Sequence, residues 1–332
     1  MIRLKERNRV GEMSKIGYPV GCCAAAAMLV ALFATNAQAN DKVRVGTPEA
    51  AGFSFAGPDV GNEAGIFKKY GLDVERIDFA GGAKVHQAMN AGAVDVIVGT
   101  GSDMLFLTKG APERGVAAFG NDLASLSLVV RDDDKIKKVE DLKGKIIASS
   151  TTGSFTSWIA LTILKQHGIT ADQVTVAYLG SQSGLYAGLT AKSADAIVGT
   201  TARVMMPESK GRFRALANAG DEIQNFIANV IYASEPMMKE HPDTLRRFLA
   251  AWFETMRYMK DHKAETVKIT QRSTQLPDEA AAIGYDIEMP YFFMDGHFDR
   301  KKLAAVKQSL IDLGLTDKTA PDEDLITEAF LP

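Results

Sequence analysis

Cysteine is almost missing from this 332-residue chain: only Cys22 and Cys23 occur, both close to the start. From residue 24 onward no disulfide and no thiol chemistry is available. Histidine is sparse, and His86, His167, His241, His262 and His297 never fall at metal-ligand spacing. The run Asp132-Asp133-Asp134 lacks the further ligands and the glycine of a calcium loop and reads as a solvated turn. Neither a G-x-x-x-x-G-K-S/T phosphate loop nor a nucleophile elbow is written anywhere, so nucleotide hydrolysis would belong to another polypeptide. Positive charge is not in excess either. The chain has 38 Lys+Arg against 41 Asp+Glu, which disfavours nucleic acid as a partner.

What is present begins with a leader. Arg3, Lys5, Arg7, Arg9 and Lys15 precede the apolar run CCAAAAMLVALFA, and Ala37-Gln38-Ala39 follows. A charged region, a short apolar stretch and a small-x-small site predict a secretory signal over residues 1–39, cut after Ala39. The segment from Met13 is already a complete leader, so Met13 is an alternative start. The apolar run is too short to span a membrane. A lipid anchor at Cys22 fits poorly, because the apolar run follows the cysteine. Without the leader, 33 basic and 39 acidic residues remain, a formal charge of about −6. The expectation is an exported, acidic, thiol-free protein whose 46% hydrophobic content allows a sizeable core.

The chain also writes one phrase twice. AGAVDVIVGT (Ala91 to Thr100) and AKSADAIVGT (Ala191 to Thr200) share Ala, Asp, Ile, Val, Gly and Thr in order. Their surroundings match: IFKKYGLDVERIDFAGG precedes the first copy and ILKQHGITADQVTVAYLG the second. Each is a helix end, a glycine stop and a strand of alternating apolar residues. Two copies are too few for a solenoid, and each is long enough to be a lobe. The continuous Val/Ile runs suit a parallel sheet covered on both faces. Strands alternating with helices predict an α/β fold. One lobe takes residues 40–125 plus 230–332 and the other 126–229. Crossings near 125–130 and 226–232 pair as a hinge.

Taken in order, GIFKKYGLDVE, AMNAGAVDVIVG, VEDLKGKIIA and EHPDTLRRFLAAW resemble the substrate-binding proteins of bacterial ABC importers, in the branch associated with nitrate, sulfonate, taurine and bicarbonate. The resemblance covers nearly the whole chain after the leader, although no single motif is diagnostic. It implies a type II-like periplasmic binding protein fold: two lobes, each a mainly parallel sheet flanked by helices, joined by a two-strand hinge. It also implies a monomer in the periplasm that delivers a small anionic or zwitterionic organic solute to a membrane permease and its ATPase, without a cofactor. The branch includes relatives for aromatic acids and thiamin precursors. The cysteine-rich motif of pyrimidine-precursor binders and synthases is absent.

The site candidates lie where strands end. Thr152, Gly153, Ser154, Phe155 and Thr156 follow the strand KIIASS; a glycine and hydroxyls at a helix start make an anion site, or merely an N-cap. Gly101 and Ser102, and Thr200 and Thr201, repeat that chemistry at the two Gly-Thr copies, with helix capping by Ser102 as the plainer role. Arg203 offers a fork for a carboxylate or sulfonate if it is not simply solvated. Phe53, Ser54 and Phe55 sit beyond the first strand, as a pocket wall or a cover for the sheet. Gly82, beside Gly81, allows a close backbone approach or only a turn. Glu49 in the same first loop would disfavour a plain anion and suit an amine or zwitterion. Asp95 and Asp195 read as turn or cap residues. Two further readings stay open: an enzyme on the same scaffold acting on a small heterocycle or aromatic acid, and the sensing half of a regulator.

Overall fold

The two matched decapeptides end in equivalent strands of two separate sheets. The computed structural model describes residues 40–332 except 122, 134, 275 and 277. The leader with its cysteines, the alternative start at Met13 and the last residue of the Asp132–Asp134 run lie outside the described residues.

The first sheet holds β1 (Asp41–Thr47), β2 (Leu72–Asp78), β3 (Val96–Thr100), β4 (Glu113–Gly120) and β10 (Asn229–Ser234), in the order β2-β1-β3-β10-β4. The second holds β5 (Leu126–Arg131), β6 (Ile146–Ser149), β7 (Thr175–Tyr178), β8 (Ala196–Thr200) and β9 (Phe213–Asn218), in the order β7-β6-β8-β5-β9. β2, β1 and β3 run parallel, as do β7, β6 and β8. In each sheet the fourth strand is antiparallel to both neighbours. The two orders are the same pattern, and the two Gly-Thr strands, β3 and β8, hold the same place in it. This is the two-lobe α/β architecture that the repeat predicted.

Why the aspartate recurs in both copies is visible at the start of those strands. Asp95 Oδ2 accepts the backbone N–H of Arg44 on β1 at 2.8 Å, and the Asp95 N–H donates back to the Arg44 carbonyl at 2.9 Å. Asp195 does the same to Ile146 on β6, at 3.0 and 2.8 Å. Each aspartate is also paired with an arginine, Arg44 or Arg131. They fasten the third strand to the first, at the end of the sheet where β3 and β8 begin.

Two strands were not legible in advance, β4 and β9, each at the edge of its sheet beside the antiparallel strand. The helix after β3 also starts later than its sequence suggested. It spans Met104–Thr108 behind a single 3-10 turn, Gly101–Asp103, so Ser102 is not its cap. The Asp103 carboxylate takes the Thr100 N–H at 2.8 Å instead. Among the tail helices, Pro242–Asp261 buries Leu245, Phe248, Leu249, Trp252, Phe253, Met256 and Met259, a helical stripe packed on the valines of β1, β2 and β3.

The chain passes between the sheets twice, at 121–125 and 219–228. The passages run side by side: Asn218 Nδ2 donates to the Ala124 carbonyl at 2.9 Å, and the Ala228 N–H to that of Gly120 at 2.9 Å. Gly101 is needed here. A Cβ on it would lie 2.0 Å from the Ile227 carbonyl oxygen.

Candidate functional site

A cleft opens where the parallel strands of both sheets end. Pro48, Glu49, Gly52, Ser54 and Phe55 reach it from the loop after β1, Gly81 and Gly82 after β2, and Thr100 and Asp103 after β3. The second sheet contributes Ser150, Ser154, Phe155 and Thr156 after β6, Gln182 after β7 and Thr200 at the end of β8. The two passages add Ser125 and Ala228, the strands they lead into add Leu126 and Asn229, and Glu288 reaches in from the tail. Open α/β sheets place their ligand sites beyond these strand ends. The cavity volume is about 90 Å³, several times what one water requires.

Of the residues singled out by sequence, Glu49, Ser54, Phe55, Gly81, Gly82, Ser154, Phe155, Thr156 and Thr200 line this cleft. The others take structural positions. The Phe53 ring packs against Tyr285 at 5.6 Å and Phe292 at 6.0 Å, covering the sheet. Ser102 is buried against the Thr100 hydroxyl at 3.2 Å, and Gly101 carries the close passage described above. Thr201 donates to the Ala124 carbonyl at 2.7 Å and meets the Ser127 hydroxyl at 2.9 Å, between the passages. Thr152 is exposed, and Gly153 is buried in the left-handed conformation at φ +69°. Arg203 lies outside the cleft, its guanidinium 4.5 Å from the centre of the Tyr186 ring.

The helix Phe155–Gln166 presents the hydroxyl cluster that sequence anticipated. Thr156 Oγ1 accepts the Ser150 N–H at 2.9 Å and lies 3.0 and 3.1 Å from the Ser150 and Ser154 hydroxyls; Ser154 Oγ accepts the Ser157 N–H at 3.3 Å. Opposite stand carboxylates. Glu49 Oε2 accepts the Gln182 backbone N–H at 2.9 Å across the cleft, and Oε1 accepts that of Ala51 at 3.2 Å. Burial raises the Glu49 carboxyl above its ordinary value, against the lowering effect of those N–H groups. Glu288 accepts from the Ser54 hydroxyl. Among the described residues that line the cleft there is no lysine, arginine or histidine.

Behind the cleft floor lies a buried cluster that sequence reasoning missed. His86 Nδ1 is 2.6 Å from Glu113 Oε1, and His86 Nε2 is 3.5 Å from Asp103 Oδ2. All three side chains are at most 2% exposed. Burial pushes the imidazole down, but the Glu113 charge and the nearby Asp103 carboxylate outweigh it and raise His86 to about 9. Phe106 stacks on the imidazole at 4.6 Å, and Tyr232, whose hydroxyl donates to the Thr100 carbonyl at 2.6 Å, meets its edge. Burial raises the Tyr232 phenol. The only hint in the sequence was a histidine on the inner face of an otherwise ordinary helix.

Among the described residues no group of three or more His, Cys, Asp or Glu is arranged to hold a metal ion, and no helix is long and apolar enough to cross a membrane. The NMT1/THI5-like family model matches residues 53–266, well over half of the sequence. The chain belongs to the NMT1/THI5-like family. No curated protein matches it. The fold recurs in solved structures. A protein of Bordetella bronchiseptica RB50 superposes with a TM-score of 0.76 at 24% identity, covering 87% of this chain and 95% of that one. The periplasmic aliphatic sulphonate binding protein SsuA from Escherichia coli gives 0.70 at 19%, covering 86% and 92%. The desulfurization enzyme DSZB gives 0.64 at 16%, covering 87% and 97%. At these identities the likeness establishes a shared two-lobe fold, the one that periplasmic binding proteins have.

Proposed function

We propose that this protein is an extracytoplasmic solute-binding protein that captures a small organic solute in the cleft and presents it to the permease of an ABC importer, whose ATPase is a separate chain. It acts as a monomer in the periplasm, after loss of residues 1–39. The lobes that close on the solute are 40–125 plus 230–332 and 126–229, hinged at crossings near 125–130 and 226–232, where the two passages lead into β5 and β10. The observation that carries this reading is the cleft itself, with walls built from the strand ends of both sheets and a base built from both passages.

Between the anionic and zwitterionic solutes that the sequence suggested, the cleft favours the zwitterion. Its hydroxyls and the N-terminus of the Phe155–Gln166 helix suit a sulfonate or carboxylate end, while Glu49, Asp103 and Glu288 suit a positively charged end. The aliphatic sulphonate named for the Escherichia coli neighbour would then correspond to one end of the solute only. The enzyme alternative, favoured by the likeness to DSZB, needs a base beside a nucleophile. Here the cleft hydroxyls bond to one another, and His86 is occupied by Glu113 behind the floor.

A thermal-shift screen of small sulfonates, carboxylates, aromatic acids, amines and pyrimidines, followed by small-angle scattering with each hit, tests the proposal. A solute that raises the melting temperature and reduces the radius of gyration without being consumed is expected. Turnover of the bound solute favours the enzyme, and no stabilising solute in the screen overturns the reading.

A further inference from the structure

We propose that the floor of the cleft is a subsite for a cationic nitrogen, an ammonium or amidinium group, held by Asp103 with Gln182 accepting a further N–H of the same solute. This rests on the cleft being the solute site. Two cleft-lining side chains keep a buried polar atom without a hydrogen-bond partner, Asp103 Oδ1 and Gln182 Oε1. These residues are 1% and 8% exposed. Both atoms are acceptors. The Gln182 amide is oriented by its Nε2 donating to the Val198 carbonyl at 3.2 Å, which leaves its oxygen facing away from that bond. The two residues line the cleft from opposite sheets.

The remaining carboxylates differ. Glu49 accepts two backbone N–H groups and Glu288 accepts from Ser54, whereas Asp103 spends only Oδ2, on the Thr100 N–H and toward the His86 imidazole. Behind the floor, two carboxyl groups, Asp103 and Glu113, share a single imidazole, which sits 2.6 Å from Glu113 and 3.5 Å from Asp103. One imidazolium matches one carboxylate, and a buried charge left unmatched is costly. A monocation arriving from the cleft balances the set. Gly82 keeps the approach open, since a Cβ there would lie 3.0 Å from Asp103 Oδ1. An inorganic cation fits less well, because hard ions require six or more oxygens, and two orphaned acceptors suit directed N–H donors.

The test is titration calorimetry on the mature protein with two matched pairs: taurine against ethanesulfonate, and benzamidine against benzamide. At least one cationic member should bind roughly tenfold or more tightly than its counterpart, as a charged hydrogen bond implies. Asp103→Asn should abolish that preference. If Asp103→Asn fails to fold, Gly82→Ala, which covers Oδ1 without altering charge, should abolish it equally. A wild-type protein that shows no preference for either cation, or binds neither, overturns the proposal. So does sodium chloride stabilising wild type but not Asp103→Asn, which would reassign the floor to an inorganic ion. A solute from the broader screen that closes the lobes without preferring a cationic nitrogen leaves the solute site standing and removes this subsite alone.

Discussion

Glu49 and Gln182, 133 residues apart in the chain, meet across the cleft: the carboxylate of one accepts the backbone N–H of the other at 2.9 Å. Gln182 opens the helix Gln182–Thr190, whose first N–H groups have no partner within the helix. Ser181 caps it from its own chain by accepting the Gly184 N–H at 3.4 Å. Glu49 supplies a second acceptor, from the facing sheet, and its charge complements the helix N-terminus. At two further places the chain of one sheet comes close to that of the other. A Cβ on Gly81 would come within 2.7 Å of Thr151, and one on Gly153 within 2.8 Å of Leu105.

Glu49→Ala should therefore release the ligand-free protein toward a wider form. The bond removed is charge-assisted but partly solvated, worth about 1 kcal/mol. Small-angle scattering without solute should report a larger mean radius for the variant than for wild type. An identical radius, with wild-type melting behaviour, would show that Glu49 does not hold the halves together.

His86 gives stability a pH dependence of defined sign. Its folded value, about 9, lies above the ordinary 6.5. The stabilisation is complete below about pH 6.5 and is lost as pH rises toward 9. The groups facing the imidazole are Glu113, Asp103 and the Tyr232 and Phe106 rings. A shift of this size corresponds to roughly 3 kcal/mol. The melting temperature should fall between pH 6.5 and 9 in wild type, and His86→Gln should be less stable at pH 6.5 but much flatter across the range. Parallel curves would refute the assignment.

Gly153→Val and Ser154→Ala should separate two roles that are adjacent in sequence. Gly153 needs its left-handed φ of +69° and has no room beside Leu105, so valine should cost more than about 2 kcal/mol and hinder closure. Ser154 loses one cap bond to Ser157, about 1 kcal/mol. Chemical denaturation of both variants measures the difference, and equal costs would contradict it.

Arg203→Ala should leave solute affinity unchanged within about twofold. The guanidinium stacks on Tyr186 and does not line the cleft, so the loss should appear as about 0.5–1 kcal/mol of stability. A tenfold loss of affinity in calorimetry would place Arg203 at the solute after all.

The repeat was legible because the sheet makes identical demands at β3 and β8: a buried Val/Ile strand, an aspartate to fasten it and a Gly-Thr exit. The hydroxyls from Ser154 to Thr156 were legible because a site after a strand end follows from local order. Asp103 and Gln182 were not, since each reads as an ordinary residue at a helix start. Glu288 was hidden for another reason: nothing local indicates that the tail helix Asp278–Glu288 returns to the cleft. Arg203 misled because charge was visible and direction was not; the Tyr186 face that holds it lies on a different helix. Phe53 misled similarly, its neighbours Tyr285 and Phe292 belonging to the distant tail.

The placement of β10 between β3 and β4 sets an order of assembly. β4 pairs with no other strand of its sheet. The sheet that begins at Asp41 thus remains in two pieces until residues 229–234 arrive, although most of its strands are synthesised first. The second sheet draws on one continuous stretch, Leu126 to Asn218, and can close on its own. On a chain that emerges N-terminus first, the middle of the sequence completes its structure before the beginning does, and the earliest strands wait with an open seam.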